Sequence, residues 1–191
     1  MFYPRKVKGK NILCLESHWG GSTIEPRASV KPLLDYITTG RGTSYTYNFV
    51  YTREEFKYIL ENVNVKKHNL LFLAFHGKPG NIMLGKDGES LIDMDELSGI
   101  LDGRFSGYGI HFSSCSVLNL DEEKVTDFVS DTGASFVSGY GQGVDYNEGA
   151  LMDMAFLSKW FYYRNMTSMF KSIKKSYKDF IKENNFLWYL K

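Results

Sequence analysis

Hydrophobic residues along this chain of 191 residues fall into short unbroken runs, typical of buried strands, and into stretches with helical spacing. Strands are predicted at residues 11–16, 45–51, 70–77, 109–115, 134–140 and in the closing segment 186–191. Helices are predicted at residues 30–38, 94–101, 121–130, 147–163 and 169–181. Another helix is expected to begin after Thr52, because Thr52 and Glu55 fit the capping-box pattern.

The alternation of strands and helices predicts a mostly parallel sheet of about six strands in a three-layer α/β/α sandwich. Residues 82–84 and 90–92 flank the turn sequence Gly85-Lys-Asp-Gly88, which indicates a small β-hairpin inserted near residues 80–92. The sequence contains no linker, repeat or low-complexity run, so we expect one domain over residues 1–191.

Composition narrows the classes of partner. The net charge is +1, with 24% charged residues, which argues against nucleic acid because phosphate binding usually needs a basic face. No segment approaches the roughly 20 apolar residues of a membrane span. The first ten residues lack the apolar core of a signal peptide, so we expect a cytoplasmic protein without a membrane partner.

The two cysteines are predicted not to form a disulfide. Cys14 and Cys115 belong to strands expected to lie two positions apart, at about 9–10 Å by the spacing of a sheet ladder. A disulfide needs Cα atoms closer than about 7 Å. Cys115 should therefore be a free thiol, and Cys14, in the middle of its strand, should belong to the core.

Two chemically competent residues end neighbouring strands of the predicted sheet. His76 closes the run 70–77, and Cys115 closes the run 109–115. Parallel strands bring their carboxyl ends to one edge, where α/β folds place their chemistry, and a thiol beside an imidazole can act as a nucleophile with an acid/base partner. A buried cysteine can also be a small core residue and a histidine a hydrogen-bonded cap. His111 is expected to be structural and His68 exposed.

The order of these motifs resembles the caspase-like (clan CD) cysteine peptidases. A strand ending in His-Gly is followed by a strand ending in Ser-Ser-Cys, and residues 134–163 and the closing strand with Trp188 resemble bacterial CHAT domains. The resemblance covers nearly the whole chain. It implies a caspase/flavodoxin-like sheet, a bacterial source and a cysteine endopeptidase that cleaves a protein or peptide substrate.

The resemblance also implies roles for individual residues. Cys115 would be the nucleophile and His76 the general acid/base, and the backbone N–H groups of Gly77 and Cys115 would form the oxyanion hole. Val117 stands where caspases have glycine, and Ser113 stands where metacaspases carry an acidic residue. The segment after Cys115 is too short to contain a cleavable linker, which favours a single-chain enzyme.

In this family the pocket for the P1 side chain lies after the first strand and after the strand that follows the cysteine. The corresponding residues are Glu16, Ser17, His18, Trp19, Gly141, Gln142, Val144 and Asp145. The carboxylates of Glu16 and Asp145 would favour Lys or Arg at P1. Asp145 could equally cap the helix that begins near Asn147.

Two other functions fit parts of the sequence. The fold could be retained in a silent pseudo-peptidase that binds proteins, and CHAT-like proteins resemble effectors controlled by a regulatory sensor protein. A flavodoxin-like domain could bind a nucleotide or flavin through residues 20–23 or through Gly139, Gly141 and Gly143, although neither segment has the spacing of a dinucleotide motif. His76, His111 and Cys115 are not spaced as metal ligands, so no metal or cofactor is expected.

Overall fold

The computed structural model describes residues 9–19, 28–39, 43–85 and 90–191. The strands are β1 (Asn11–Glu16), β2 (Ser44–Phe49), β3 (Leu70–Ala74), β4 (His76–Lys78), β5 (Asn81–Leu84), β6 (Ser90–Asp93), β7 (Gly109–Ser113), β8 (Phe136–Tyr140) and β9 (Phe186–Leu190). Six of them form the central sheet in the order β2-β1-β3-β7-β8-β9, and β4, β5 and β6 form a second, antiparallel sheet. Within the central sheet only β9 runs antiparallel to its neighbour.

Helices cover both faces of the central sheet. They are α1 (Lys31–Thr38), α2 (Arg53–Asn62), α3 (Met94–Leu101), α4 (Glu122–Thr132), α5 (Tyr146–Trp160), α6 (Met166–Ser176) and α7 (Lys178–Glu183), with a short 3-10 turn at Val65–Lys67. The buried residues of α2, α3 and α4 belong to one apolar cluster, and those of α1, α5 and α6 belong to another. The predicted three-layer α/β/α architecture is therefore confirmed. None of the helices in the described parts of the chain is long and apolar enough to cross a membrane.

Strand β1 shows why its sequence is an unbroken apolar run. Leu13 and Leu15 point into the cluster beneath α2, α3 and α4, whereas Ile12 and Cys14 point into the opposite cluster. Both faces of a parallel strand are covered by helices, so neither set can be polar. Cys14 is buried in the core, as predicted, and both cysteines are free thiols.

The strand predicted at residues 70–77 is shorter than expected. β3 ends at Ala74, and His76 begins β4 in the second sheet. The backbone N–H of Phe75 donates to the Ser114 hydroxyl at 3.1 Å. The chain therefore leaves the central sheet one residue before His76.

The predicted hairpin is present, with an additional strand. β5 pairs with β6, and β4 pairs with β5 on the other side, so the insertion is a three-stranded sheet. The turn residues Lys86, Asp87 and Gly88 lie outside the described residues. Arg53 of α2 anchors this sheet by donating to the Ser90 hydroxyl at 3.4 Å and to the carbonyl oxygen of Leu91, both in β6. It also pairs with both oxygens of Glu96 in α3, at 2.7 and 2.8 Å.

Two further predictions were wrong in detail. The single helix predicted at residues 169–181 is divided between α6 and α7, because Tyr177 leaves the helical region, with φ −135° and ψ 34°. His68, expected to be exposed, is buried. Its Nε2 lies 2.9 Å from the Thr46 hydroxyl and its Nδ1 lies 3.2 Å from the Asn64 carbonyl oxygen.

Candidate active site

His76 and Cys115 follow neighbouring parallel strands of the central sheet. Ala74 at the end of β3 pairs with Ser113 at the end of β7, so both residues emerge at the same edge. The two segments touch at Gly77: a Cβ atom placed there would lie 2.4 Å from the carbonyl oxygen of Cys115 and 2.6 Å from Cγ2 of Val117. Position 77 consequently admits only glycine unless the backbone moves.

Ser114 joins the two segments through its hydroxyl group. Its Oγ accepts from the N–H of Phe75 at 3.1 Å and donates to the carbonyl oxygen of Leu73 at 3.2 Å. The side chain is almost fully buried, so these bonds do not compete with solvent. The residue before Cys115 thus fixes the point where the chain turns away from the sheet toward His76.

The thiol of Cys115 lies against the loop that follows β8. Its Sγ is 3.4 Å from both the backbone nitrogen and the carbonyl oxygen of Val144, the nitrogen donating to sulfur and the thiol donating to oxygen. Cys115 is partly exposed, in contrast to buried Cys14, whose pKa is raised well above its ordinary value by burial and by nearby Glu16 and Asp153. An N–H directed at sulfur stabilises a thiolate, which is the reactive form of cysteine.

The turn after Cys115 is held in an unusual conformation. Ser116 has φ 58°, in the left-handed region that residues other than glycine rarely adopt. Its N–H donates to the carbonyl oxygen of Gln142 at 2.9 Å, and the N–H of Leu118 donates to that of Tyr140 at 3.1 Å. Val117, where caspases have glycine, is fully buried beneath Gly77.

The imidazole of His76 contacts one wall of the site. His76 pairs with Met83 across the second sheet, and its ring meets the ring of Trp19 edge to face, with centroids 5.4 Å apart. Trp19 in turn contacts Tyr146 at the start of α5, with centroids 6.0 Å apart. An aromatic wall from the loop after β1 therefore reaches the histidine.

A small pocket of about 40 Å³ opens beside Cys115. It is lined by Trp19, Val30, Ser113, Ser114, Cys115, Tyr140, Val144, Asp145, Tyr146, Gly149, Ala150 and Asp153. Most of these side chains present apolar surface, and the two formal charges among them are both carboxylates. The pocket thus combines apolar walls with negative charge.

Asp153, which the sequence analysis missed, is the buried carboxylate of this pocket. Only 1% of the residue is exposed. It accepts hydrogen bonds from the Ser113 hydroxyl at 2.5 Å, the Tyr140 hydroxyl at 2.5 Å and Nε2 of His111 at 2.9 Å. Burial and the adjacent Asp153 raise the pKa of Tyr140 well above its ordinary value, so this phenol stays a donor. An aspartate inside the apolar run Leu-Met-Asp-Met-Ala-Phe was the available signal.

Glu16 is not among the residues that line this pocket. It is fully buried, and its carboxylate accepts from Nε1 of Trp19 at 2.6 Å and from the backbone N–H of Val30 at 2.9 Å. The hydroxyls of Ser29 and Tyr47 donate to its second oxygen at 2.7 and 2.5 Å. Four donors therefore surround Glu16, and it ties the loop after β1 to β2 and to the start of α1.

Of the other predicted pocket residues, Trp19, Val144 and Asp145 line the pocket, whereas His18 and Gly141 do not. His18 is buried beside Phe49, with ring centroids 6.4 Å apart. A Cβ on Gly141 would lie 2.5 Å from Nδ2 of Asn185, on the side of β9. Asp145 lines the pocket and also caps α5, accepting from the backbone N–H of Asn147 at 2.9 Å and of Glu148 at 3.4 Å. The predicted helix cap at Asp145 is thus confirmed.

Gly139, one of the glycines considered for a nucleotide site, lies between two strands of the central sheet. A Cβ on Gly139 would lie 2.8 Å from the carbonyl oxygen of Phe112, so this glycine allows β7 and β8 to approach closely. The segment at residues 20–23 lies outside the described residues. Within the described ranges, no group of three or more His, Cys, Asp or Glu side chains is arranged to hold a metal ion.

Known structures similar to this chain include caspase-fold proteins. The initiator caspase Dronc from Drosophila gives a TM-score of 0.54 at 9% identity, with 91% of this chain and 75% of that chain covered. Caspase-1 from Spodoptera frugiperda gives 0.55 at 13% identity, with coverages of 91% and 78%. A secreted C11 cysteine protease from Bacteroides thetaiotaomicron, solved with an irreversible peptide inhibitor, gives 0.57 at 9% identity, with coverages of 91% and 60%.

At these identities the similarity establishes the fold alone, and the fold is the caspase-like α/β fold. No curated protein is found to be similar in sequence. The model of one protein family spans residues 9–190, nearly the whole chain. The chain therefore belongs to the family described as "Family of unknown function (DUF6642)".

Proposed function

We propose that this protein is a cysteine endopeptidase in which Cys115 is the nucleophile and His76 the general acid/base. The observation that carries the proposal is the contact of Gly77 with the Cys115 backbone, which brings the His-Gly segment against the cysteine at one edge of the sheet, beside an open pocket. The caspase fold supports it, because the known structures that share this fold include cysteine proteases.

The proposed reaction has two steps. The Cys115 thiolate attacks the scissile carbonyl carbon, forming a C–S bond and moving the carbonyl π electrons onto oxygen. Collapse of this oxyanion breaks the C–N bond, and imidazolium His76 gives its proton to the leaving amine. In the second step the oxygen of a water molecule attacks the thioester carbon while His76 takes a proton from that water. The C–S bond then breaks and releases the carboxylic acid and the Cys115 thiolate.

The hairpin geometry supports Gly77 as an oxyanion donor. Pro79 has no N–H, so the hydrogen-bonded pair that closes the turn of this hairpin is Lys78 with Asn81. Hydrogen-bonded and non-hydrogen-bonded pairs alternate along an antiparallel ladder. The next pair, Gly77 with Ile82, is therefore a non-hydrogen-bonded pair. The N–H of Gly77 therefore points away from β5, and with the Cys115 N–H it would stabilise the developing negative charge.

The pocket supports a basic P1 residue, Lys or Arg, recognised by Asp145, as first expected, and by Asp153 in place of Glu16. Asp153 lies in its lining with Asp145, whereas the Glu16 carboxylate is occupied by four donors. A long side chain with an aliphatic stem and a cationic tip matches apolar walls that carry carboxylates. We assign the dominant role to Asp153, because it lines the pocket and its three donors leave one of the roughly four acceptor sites of a carboxylate for a cationic tip.

The resemblance of residues 134–163 and of β9 to CHAT domains supports a finer version of the proposal. In this version the protein is a bacterial, cytoplasmic effector with a protein substrate, and a regulatory sensor protein controls its activity. Copurification of such a partner with the Cys115→Ala variant, followed by identification of the partner, tests this part.

Activity-based labelling tests the peptidase. Acyloxymethyl-ketone probes with Arg, Lys, Asp or Leu at P1 should label the wild type, with Arg and Lys fastest, and should not label Cys115→Ala. Cys14→Ala is the matched control and should label normally. Asp153→Asn should reduce the preference for Arg over Leu by about 10-fold or more, the scale of a lost charge-assisted contact.

Two outcomes would contradict the proposal. A folded wild type that no probe labels would favour a silent caspase-like module that binds proteins. Faster labelling by the Asp probe than by the Arg probe would overturn the basic P1 residue while leaving the cysteine chemistry intact.

A further inference from the structure

Trp19 occupies a position that no catalytic role yet explains. Its indole ring meets the His76 imidazole with centroids 5.4 Å apart and an interplanar angle of 68°. The same ring contacts Tyr146 and lines the pocket beside Cys115. Trp19 thus touches both the proposed acid/base and the space that the substrate would fill.

The indole is held in place by a buried carboxylate. Nε1 of Trp19 donates to Glu16 at 2.6 Å, and Glu16 also accepts from Val30, Ser29 and Tyr47. Burial and these contacts with Glu16 raise the pKa of the Tyr47 hydroxyl, which therefore remains a donor. A carboxylate with four donors is a rigid anchor, so the orientation of Trp19 is set by β1, β2 and the start of α1 rather than by its own loop.

We propose that Trp19 is a positioning residue for His76: held by Glu16, it fixes the imidazole ring and favours its protonated form. This inference rests on the proposed function, in which His76 is an imidazolium while Cys115 is a thiolate. In an edge-to-face pair the positive edge of one ring meets the negative face of the other, so an imidazolium edge directed at the indole face is attracted by the indole quadrupole. Tryptophan is the strongest aromatic partner for such a contact.

Within the described parts of the chain, several titratable groups surround the proposed acid/base. The pocket that Trp19 lines also holds the Cys115 thiol, the phenols of Tyr140 and Tyr146 and the carboxylates of Asp145 and Asp153, and the Glu16 carboxylate lies behind the indole. From the second sheet, His76 is paired with Met83, which does not titrate, and Lys78 lies two residues along the same strand. All of these groups are retained in Trp19→Leu, so a change in the His76 titration reports the loss of the indole.

Two readouts test the inference. The first is an NMR titration of the His76 imidazole in the Cys115→Ala background, which requires no activity. Trp19→Leu should lower the pKa of His76 by about half a unit or more, the shift expected for loss of a contact of this strength. Trp19→Phe retains an aromatic ring and should give a smaller shift.

The second readout is the pH profile of peptide cleavage. Trp19→Leu should lower kcat about 10-fold and move the basic limb of the profile to lower pH, because the imidazolium is lost earlier. Glu16→Gln should change the profile in the same direction. Trp188→Phe, a conservative change to a tryptophan stacked on Phe170, is the matched control and should leave the profile unchanged.

The outcomes separate this inference from the proposed function. An unchanged His76 titration in folded Trp19→Leu overturns the inference, even if KM rises through loss of a pocket wall. A shifted titration in a protein without peptidase activity supports the positioning role and overturns the proposed function. If Trp19→Leu does not fold, the Trp19→Phe variant tests the inference instead. A His76 pKa in Trp19→Phe equal to that of the protein with Trp19 would overturn the positioning role.

Discussion

His76 follows strand β3 and His111 lies inside β7, the neighbouring strand of the central sheet, but the two histidines have different surroundings. His111 is fully buried inside β7, with one ring nitrogen 2.9 Å from Asp153 and the other 2.9 Å from the Ser138 hydroxyl. Its ring stacks on Phe156 at 4.6 Å. His76 is only partly buried, and it begins a short strand outside the central sheet.

The difference shows how surroundings decide what a histidine can do. A ring whose two nitrogens both have buried partners cannot take up or release a proton for a substrate without breaking those bonds. His111 therefore joins β7, β8 and α5, whereas His76 lies where a substrate could reach it. The following predictions test this division, from the largest expected effect to the smallest.

His76→Ala should remove peptidase activity and leave stability almost unchanged. General acid/base catalysis contributes about 100–10,000-fold, so a loss within that range is expected in kcat/KM. The free energy of unfolding should change by no more than about 0.5 kcal/mol, as is usual for a residue outside the core. Peptide cleavage assays and urea unfolding measure the two effects. A large loss of stability with retained cleavage would reverse the roles assigned here.

His111→Leu should give the opposite result. The substitution leaves the carboxylate of Asp153 without one of its donors, which should cost about 2–4 kcal/mol of unfolding free energy. Urea unfolding of the single variant and of the double variant with Asp153→Leu measures the coupling. If the two losses simply add, His111 and Asp153 do not act as one unit.

Ser114→Ala should weaken the connection between the two segments of the site. The variant leaves the N–H of Phe75 without its hydroxyl acceptor, and an unsatisfied buried donor costs about 1–3 kcal/mol. Ser113→Ala is the neighbouring control, because Ser113 donates to Asp153 rather than to the β3 segment. Hydrogen exchange at the amide of Phe75 should accelerate in Ser114→Ala only, and equal exchange in both variants would contradict the assigned role.

His68, a buried histidine outside the candidate site, should give a smaller, pH-dependent effect on the free energy of unfolding. Burial lowers the pKa of His68 from its ordinary value of 6.5. The folded state therefore binds this proton less readily than the unfolded chain, so stability is intact above about pH 6.5 and decreases as the pH falls below it. His68→Gln should flatten that decrease between pH 7.5 and 5.5, measured by urea unfolding. An unchanged slope would assign the acid sensitivity to other groups.

Local patterns predicted the elements well, and contacts between distant residues set the features that were missed. The capping box at Thr52 is formed as predicted, because both of its partners lie within four residues. The end of β3 was misjudged because Ser114, far along the chain, captures the N–H of Phe75. His68 was expected to be exposed because it precedes a strand, and its partner Thr46 on a different strand could not be identified from local sequence.

The same distinction applies to the candidate site. The placement of His76 and Cys115 followed from strand order, which the apolar runs predict. The roles of the carboxylates did not, because three donors from β7 and β8 converge on Asp153 and four converge on Glu16. An acidic residue in a sequence carries no record of the partners that the fold will bring to it.

The turn after Cys115 is held in place through residues between α7 and β9, far along the chain. Ser116 is bonded to Gln142, whose side-chain amide donates to the carbonyl oxygen of Glu183 at 2.6 Å, and the N–H of Gly141 donates to that of Asn185 at 2.9 Å. Proteolytic nicking or an inserted tag between α7 and β9 would therefore loosen the nucleophile without altering any residue of the pocket. Protein engineers who need an attachment point should choose a segment away from this junction.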